Sequence, residues 1–244
     1  AGARGEYRSM NDRALDRQGE VIDFLAERFG AYPFEAGGAI VDDHRLGFAL
    51  ETQTRPVYPA GFFGGQPGEE MIIVHEVAHQ WFGDYVSVAR WRDIVLNEGF
   101  ATYAEWLWME EAGYATAQQA FDFFYRGMPS SHPFWSVRLA DPGVADLFDV
   151  AVYWRGAMWL HQLRRLVGDE DFFAIVRQWV RSKAHDNGSL TEFAKLAEQV
   201  SGRDVDPLFR RWLQERGKPT VTGGSGAPLS ALAGASTGWV RSRS

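Results

Sequence analysis

Apolar residues recur at helical spacing from about Ser9 to Phe29, where Met10, Leu15, Val21, Ile22, Leu25 and Phe29 share one face and Gly30 stops the run. This pattern predicts a first amphipathic helix, with residues 1–8 loose ahead of it. Pro33 and the Gly37-Gly38 pair mark a turn, and 39–41 and 46–54 read as two short strands, the second bounded by Pro56 and Pro59. Residues 60–68 form a Gly-rich connection that lacks the spacing of a phosphate-binding loop. From Glu69 to Gly83 the pattern changes. Met71, Ile72, Ile73, Val74, Val77, Ala78, Trp81 and Phe82 leave no solvated stripe, so this helix is expected to be buried on nearly all sides. A brief extended segment at 85–88 leads to a further helix running from Glu98 to about Ala112. Thr116 to Tyr125 is helical, 126–149 is irregular with three prolines, and four amphipathic helices follow at 150–167, 169–183, 190–200 and 206–215.

These elements predict an α+β fold, predominantly helical. Residues 1–220 form one domain, with a small β-containing lobe over about 1–68 and a helical lobe over about 69–220. Residues 221–244 are rich in Gly, Ser and Ala and read as a flexible tail.

Inside the buried helix stands His75-Glu76-Val77-Ala78-His79. Residues four apart lie on one helix face, so His75 and His79 both point at a single metal ion. Buried imidazoles need polar partners, and a metal supplies one. Glu98, in Asn97-Glu98-Gly99-Phe100-Ala101, follows His79 by nineteen positions and completes a two-imidazole, one-carboxylate set with one position open for water. That set suits one zinc ion per chain. Zinc lowers the pKa of its water and polarises a carbonyl oxygen. Glu76, next to His75, is placed to take the proton from that water and pass it to a leaving amine. The reaction implied is hydrolysis of an amide, a peptide bond above all. Asp93 and Asn97 are candidates either to support these ligands or to cap the helix.

The stretch HEVAHQWFGDYVSVARWRDIVLNEGFATYAEW resembles the M1 family of zinc aminopeptidases, gluzincins that include aminopeptidase N and leukotriene A4 hydrolase. The likeness runs from about residue 20 to about residue 218 and implies the family's thermolysin-like catalytic domain. It also implies two roles that the residues alone do not. Tyr153, in Val152-Tyr153-Trp154-Arg155-Gly156, matches the tyrosine that stabilises the tetrahedral oxyanion, with Arg155 where the family has Lys. Taken by itself, a tyrosine at a helix start reads as packing. Aligning Phe48-Ala49-Leu50-Glu51-Thr52 with the family's exopeptidase segment matches Ala49 and Glu51. The resemblance makes Glu51 the group that holds the substrate's free amine, on a strand edge that pairs with the peptide backbone.

Composition narrows the partners. A net charge of −7 disfavours nucleic acid and anionic membrane surfaces. The absence of Cys excludes disulfides, and no apolar run approaches membrane-spanning length. No signal peptide is evident. The resemblance implies a chain belonging to a longer multidomain protein acting on peptides with a free N-terminus. Two other readings stay open at this point: a zinc endopeptidase, and a non-catalytic binding domain stabilised by zinc. His161 reads as a packed or surface histidine, and Arg164-Arg165 as a solvated helix face.

Overall fold

The computed structural model describes residues 15–43, 47–64 and 68–221. The expected loose start, the Ser9 end of the first helix and the tail from 222 onward lie outside them.

Helix α1 (Gln18–Phe29) buries Val21, Phe24, Leu25 and Phe29, the face its period predicted, and ends at Gly30 with φ 106°. Strand β1 (Ile40–Asp42) pairs in parallel with β2 (Val57–Pro59). The expected strand over 46–54 is reduced to an antiparallel bridge between Leu50 and Val57. Beyond Leu50 the chain turns instead of extending, because Arg55 N–H closes on Thr52 C=O at 3.1 Å. Val57 thus meets β1 on one side and Leu50 on the other.

The buried helix is α2 (Glu70–Ala78), and all nine of its residues are inaccessible. It stops sooner than the apolar run suggested. His79 is its C-cap and Gly83 (φ 144°) redirects the chain. The carbonyls left open are taken by Asp84, Tyr85 and Val86, whose N–H groups donate to those of His79, Gln80 and Trp81. Strand β3 (Val86–Val88) follows, then the long helix α3 (Val95–Glu111). Helix α4 (Ala117–Gly127) starts on a Thr116/Gln119 capping box. Helix α5 (Val150–Val167) is capped by Asp149, and α6 (Asp169–Ser182) follows directly. Strand β4 (Asp186–Gly188) pairs in parallel with β3, so strand structure is not confined to the N-terminal lobe. Helix α7 (Leu190–Ser201) carries a second capping box, Ser189/Glu192. The helix expected over 206–215 divides into a single α turn, α8 (Asp206–Phe209), and a π turn at Arg210–Gln214. The architecture is α+β and mostly helical.

The core is built on α3, which packs against both α2 and α5. Trp81, Trp106, Trp108 and Trp159 are fully enclosed there. Two arginines, one buried and one partly buried, organise its margins. Arg155 lies wholly inside and donates to the carbonyls of Val137 at 2.9 Å and Glu215 at 2.8 Å, with longer contacts to those of Trp135 and Arg211. Burial draws its guanidinium down to about 10, still charged at neutral pH. One side chain therefore ties α5 to the irregular 135–137 segment and to the π turn. Arg164 is not solvated as expected. It bridges Asp169 and Glu110, joining α5 to α6 and α3, whereas Arg165 is exposed.

Helices α3 and α5 approach most closely at Gly99 and Gly156. A Cβ on Gly156 would stand 2.8 Å from Val95 Cγ2 and 2.9 Å from Gly99 Cα. Neither neighbour is the free end of a flexible side chain, so α5 would have to move away. Gly156→Ala is expected to destabilise the fold by about 3 kcal/mol and to lower Tm by roughly 10 °C. Gly127→Ala, where nothing lies within 4 Å, should leave thermal unfolding unchanged; equal Tm values for the two variants would remove the close contact as a constraint.

Candidate metal centre

Local folding places the two histidines. His75 sits in the last turn of α2 and His79 is its C-cap, still helical at φ −61° and ψ −19°. Four residues of helix set their rings side by side, with centroids 4.9 Å apart. Glu98 enters from the first turn of α3. Its Oε2 lies 3.3 Å from His75 Nε2 and 3.4 Å from His79 Nε2. All three residues are buried, and their donor atoms fall within 4.8 Å of one another.

The donor set fits a divalent ion of zinc's size. Ligands about 2.0–2.1 Å from such an ion at tetrahedral angles stand roughly 3.3–3.4 Å apart, the separation seen on two edges here. The rings are also oriented for it. His75 Nδ1 lies 2.7 Å from Glu105 Oε1, and His79 Nδ1 lies 3.0 Å from the Phe82 carbonyl oxygen. With those oxygens accepting, each Nδ1 carries the proton and each Nε2 faces Glu98 with a lone pair. The Phe82 contact exists because α2 ends at Ala78, which lets the chain bend back under the ring of His79.

The electrostatics point the same way. Burial opposes charge on His75, but hydrogen bonds to Glu105 and Glu98 outweigh it and raise the imidazole well above its ordinary range. For His79 burial is likewise overcome, by the charge and hydrogen bond of Glu98, and the value rises to about 9. Glu98 is pushed up by burial and held down more strongly by His79 and His75, to about 2. The pocket thus favours positive charge among its carboxylates. Glu76 is buried beside it. Desolvation carries its carboxyl up to about 7, partly relieved by the two histidines.

Tyr153, near the start of α5, stacks on His75 with centroids 5.9 Å apart and planes at 23°. Burial raises its hydroxyl above the usual tyrosine value, as do the charges of Glu98, Glu76 and Glu51. Glu51 is half-buried just past the Leu50 bridge, and its charge adds to the upward shifts of Glu76, Tyr153 and Asp84. Ala49 is buried on the other side of that bridge. Because Leu50 directs both backbone groups at Val57, those of Ala49 and Glu51 turn away from β2. All seven residues named from the sequence therefore gather on α2, α3, α5 and the 49–51 segment.

Sequence reading passed over two participants. Glu105 stands two turns after Glu98 on the same face of α3, and a second carboxylate at that spacing in an apolar helix was a readable signal. Gln80 follows His79 and gave no signal of its own. Asp93 supports no ligand; its Oδ1 accepts from Leu190 N–H at 3.2 Å and tethers the start of α7. His161 is packed, between Tyr103 and Gln118, and burial draws its imidazole down to about 3. A cavity of about 500 Å³ between α1 and the 32–39 segment shares no lining residue with the donors.

Comparison with known proteins places the chain in a family. The profile of the Peptidase family M1 domain matches residues 66–212. Aminopeptidase N of Streptomyces lividans is 35% identical over 161 residues, covering 59% of this chain and 18% of that protein. The crystal structure of an M1 zinc metallopeptidase from Deinococcus radiodurans superposes with a TM-score of 0.75 at 35% identity, over 87% of this chain and 46% of that one. A structure of the Deinococcus protein with a bound Tyr-Ser-Ala substrate is also similar, at a TM-score of 0.71 and 33% identity over 86% of this chain and 44% of that one. The chain thus spans about a fifth of the curated relative and under half of the solved one.

If Glu105 orients His75, Glu105→Ala should weaken metal affinity about 10- to 100-fold while far-ultraviolet circular dichroism stays the same. Competition with a chromogenic chelator measures this; unaltered affinity would mean that the 2.7 Å contact serves packing alone.

Proposed function

The chain belongs to peptidase family M1, and from that premise we propose that it removes N-terminal residues from peptides as a zinc-dependent aminopeptidase. The observation that supports this most strongly is the convergence of two Nε2 atoms on one Glu98 oxygen at 3.3 and 3.4 Å, with Tyr153 and the charge of Glu51 beside it. His75, His79 and Glu98 would hold the ion, whose chemistry is to acidify bound water and polarise the scissile carbonyl.

The chain's own groups supply the rest. Glu76, whose carboxyl sits near the middle of the physiological range, accepts the proton from the attacking water and returns it to the departing amine. Tyr153, whose pKa is raised by burial and by the surrounding carboxylates, keeps its hydroxyl proton and donates it as a hydrogen bond to the oxygen that becomes negative. Glu51 pairs with the substrate's ammonium, and the strand edge at Ala49 receives the peptide backbone. A carboxylate at this place is what makes cleavage start from a free end.

Three measurements check the assignment. Glu76→Gln should retain one zinc per chain and lose about 10²- to 10⁴-fold in kcat on an aminoacyl p-nitroanilide; turnover that survives in a zinc-loaded variant would remove Glu76 as the base. Tyr153→Phe should lower kcat by about 10²-fold with KM little changed. Acetylating the amine of a short peptide should abolish its hydrolysis, and equal cleavage of both forms would make the protein an endopeptidase instead.

A further inference from the structure

Gln80 is 1% exposed and stands one residue past the second histidine. Since α2 has already ended, its side chain leaves the helix and reaches the turn that follows Glu51. Its Oε1 accepts from Thr54 N–H at 2.7 Å, and its Nε2 donates to the Glu51 carbonyl oxygen at 3.1 Å. A carbonyl at one position and an N–H three residues on would ordinarily bond each other and close a β-turn. Here the glutamine amide stands between them and satisfies both.

The adjoining turn is under strain. Arg55 N–H closes on Thr52 C=O at 3.1 Å, and Thr52 Oγ1 donates to Arg55 C=O at 2.6 Å. Thr54 in this turn has φ 66°, a left-handed conformation that a β-branched residue rarely adopts. Such a conformation persists only where its surroundings over-determine it. The Leu50–Val57 bridge holds one side of the segment, and Gln80 holds the other.

We infer that Gln80 is a positioning residue which, through the Glu51 carbonyl and the Thr54 amide, sets the distance between the Glu51 carboxylate and the metal donors, and so the place where a substrate's amine is anchored. This rests on reading Glu51 as the amine anchor. The physical point is that the anchor sits on a short turn without regular secondary structure, whereas the donors sit on helices. A side chain adjacent to His79 couples the two, so amine and scissile bond keep a fixed spacing.

The test compares Gln80→Met, which keeps length and loses both hydrogen bonds, with Gln80→Glu, which keeps the acceptor for Thr54 and loses the donor to Glu51. Hydrogen exchange at the Thr54 amide, zinc content, and binding of L-leucinamide against N-acetyl-L-leucinamide are measured on the zinc-loaded chain. Kinetics on L-leucine p-nitroanilide are measured alongside. Gln80→Met is expected to speed Thr54 exchange at least about tenfold, keep one zinc, and weaken L-leucinamide binding about tenfold. KM should rise in parallel and kcat change much less. In a Glu51→Gln background the same substitution should cost no further affinity, because Gln80 acts through Glu51. Gln80→Glu should fall between, and it carries the test if Gln80→Met does not fold. Unchanged Thr54 exchange, loss of zinc, or an equal affinity loss in both backgrounds would overturn the inference. Equal binding of the free and acetylated amides by the unsubstituted chain would instead remove the amine-anchor reading. The functional part of this inference would fall with it, and Thr54 exchange would still decide whether Gln80 holds the turn.

Discussion

Everything in the centre depends on how closely two helices can lie. Helices α3 and α5 meet backbone to backbone at Gly99 and Gly156, where no side chain fits between them. Gly99 follows Glu98, and Gly156 lies one turn after Tyr153. The absence of two Cβ atoms therefore brings a tyrosine from one helix up to a carboxylate from the other. Helix α2 also packs on α3 and presents both imidazoles to that carboxylate. Were α5 displaced even by a methyl group's width, Tyr153 would leave the ring of His75 on which it stacks. Arg155, on the same turn of α5, secures the helix from behind through four backbone carbonyls.

The second constraint is charge. Glu76 and Glu98 are buried and Glu105 is partly buried, and two imidazoles stand among them. Desolvating so many carboxylates is costly unless positive charge is present. The structure meets this by placing every ring nitrogen of the pair against an oxygen. Glu105 and Phe82 take the Nδ1 positions, leaving both Nε2 atoms for Glu98 and for whatever cation joins it. The ligands are thereby oriented by the fold before an ion arrives, as a preorganised site requires.

Around this rigid part the chain adds a lighter one. The 49–54 segment has no regular secondary structure beyond one bridge, and it is held by a glutamine from the end of α2 and by pairing with β2. In the reaction we propose, helices would give the precision that proton transfer and charge stabilisation need, and a short turn would suffice for the recognition group.

Much of this was legible in the residues themselves. The buried helix around His75, the amphipathic helices between Val150 and Ser201 and the predominantly helical α+β class follow from apolar periodicity, which local geometry enforces. The pairing of His75 with His79 follows from the helical repeat. What periodicity does not carry is contact between distant segments. It overextended the strand around Leu50, since the turn at Thr52–Arg55 depends on Gln80, which is remote in the chain. It placed Arg164 in solvent, because Glu110 lies on another helix. It gave no reason for Gly156, whose purpose is visible only against Gly99. The residue types and spacings by themselves determined which groups are fit to bind a metal. Only the tertiary structure decided which oxygen orients each imidazole, how near Tyr153 stands, and what holds Glu51, because those are distances between segments that only packing brings together.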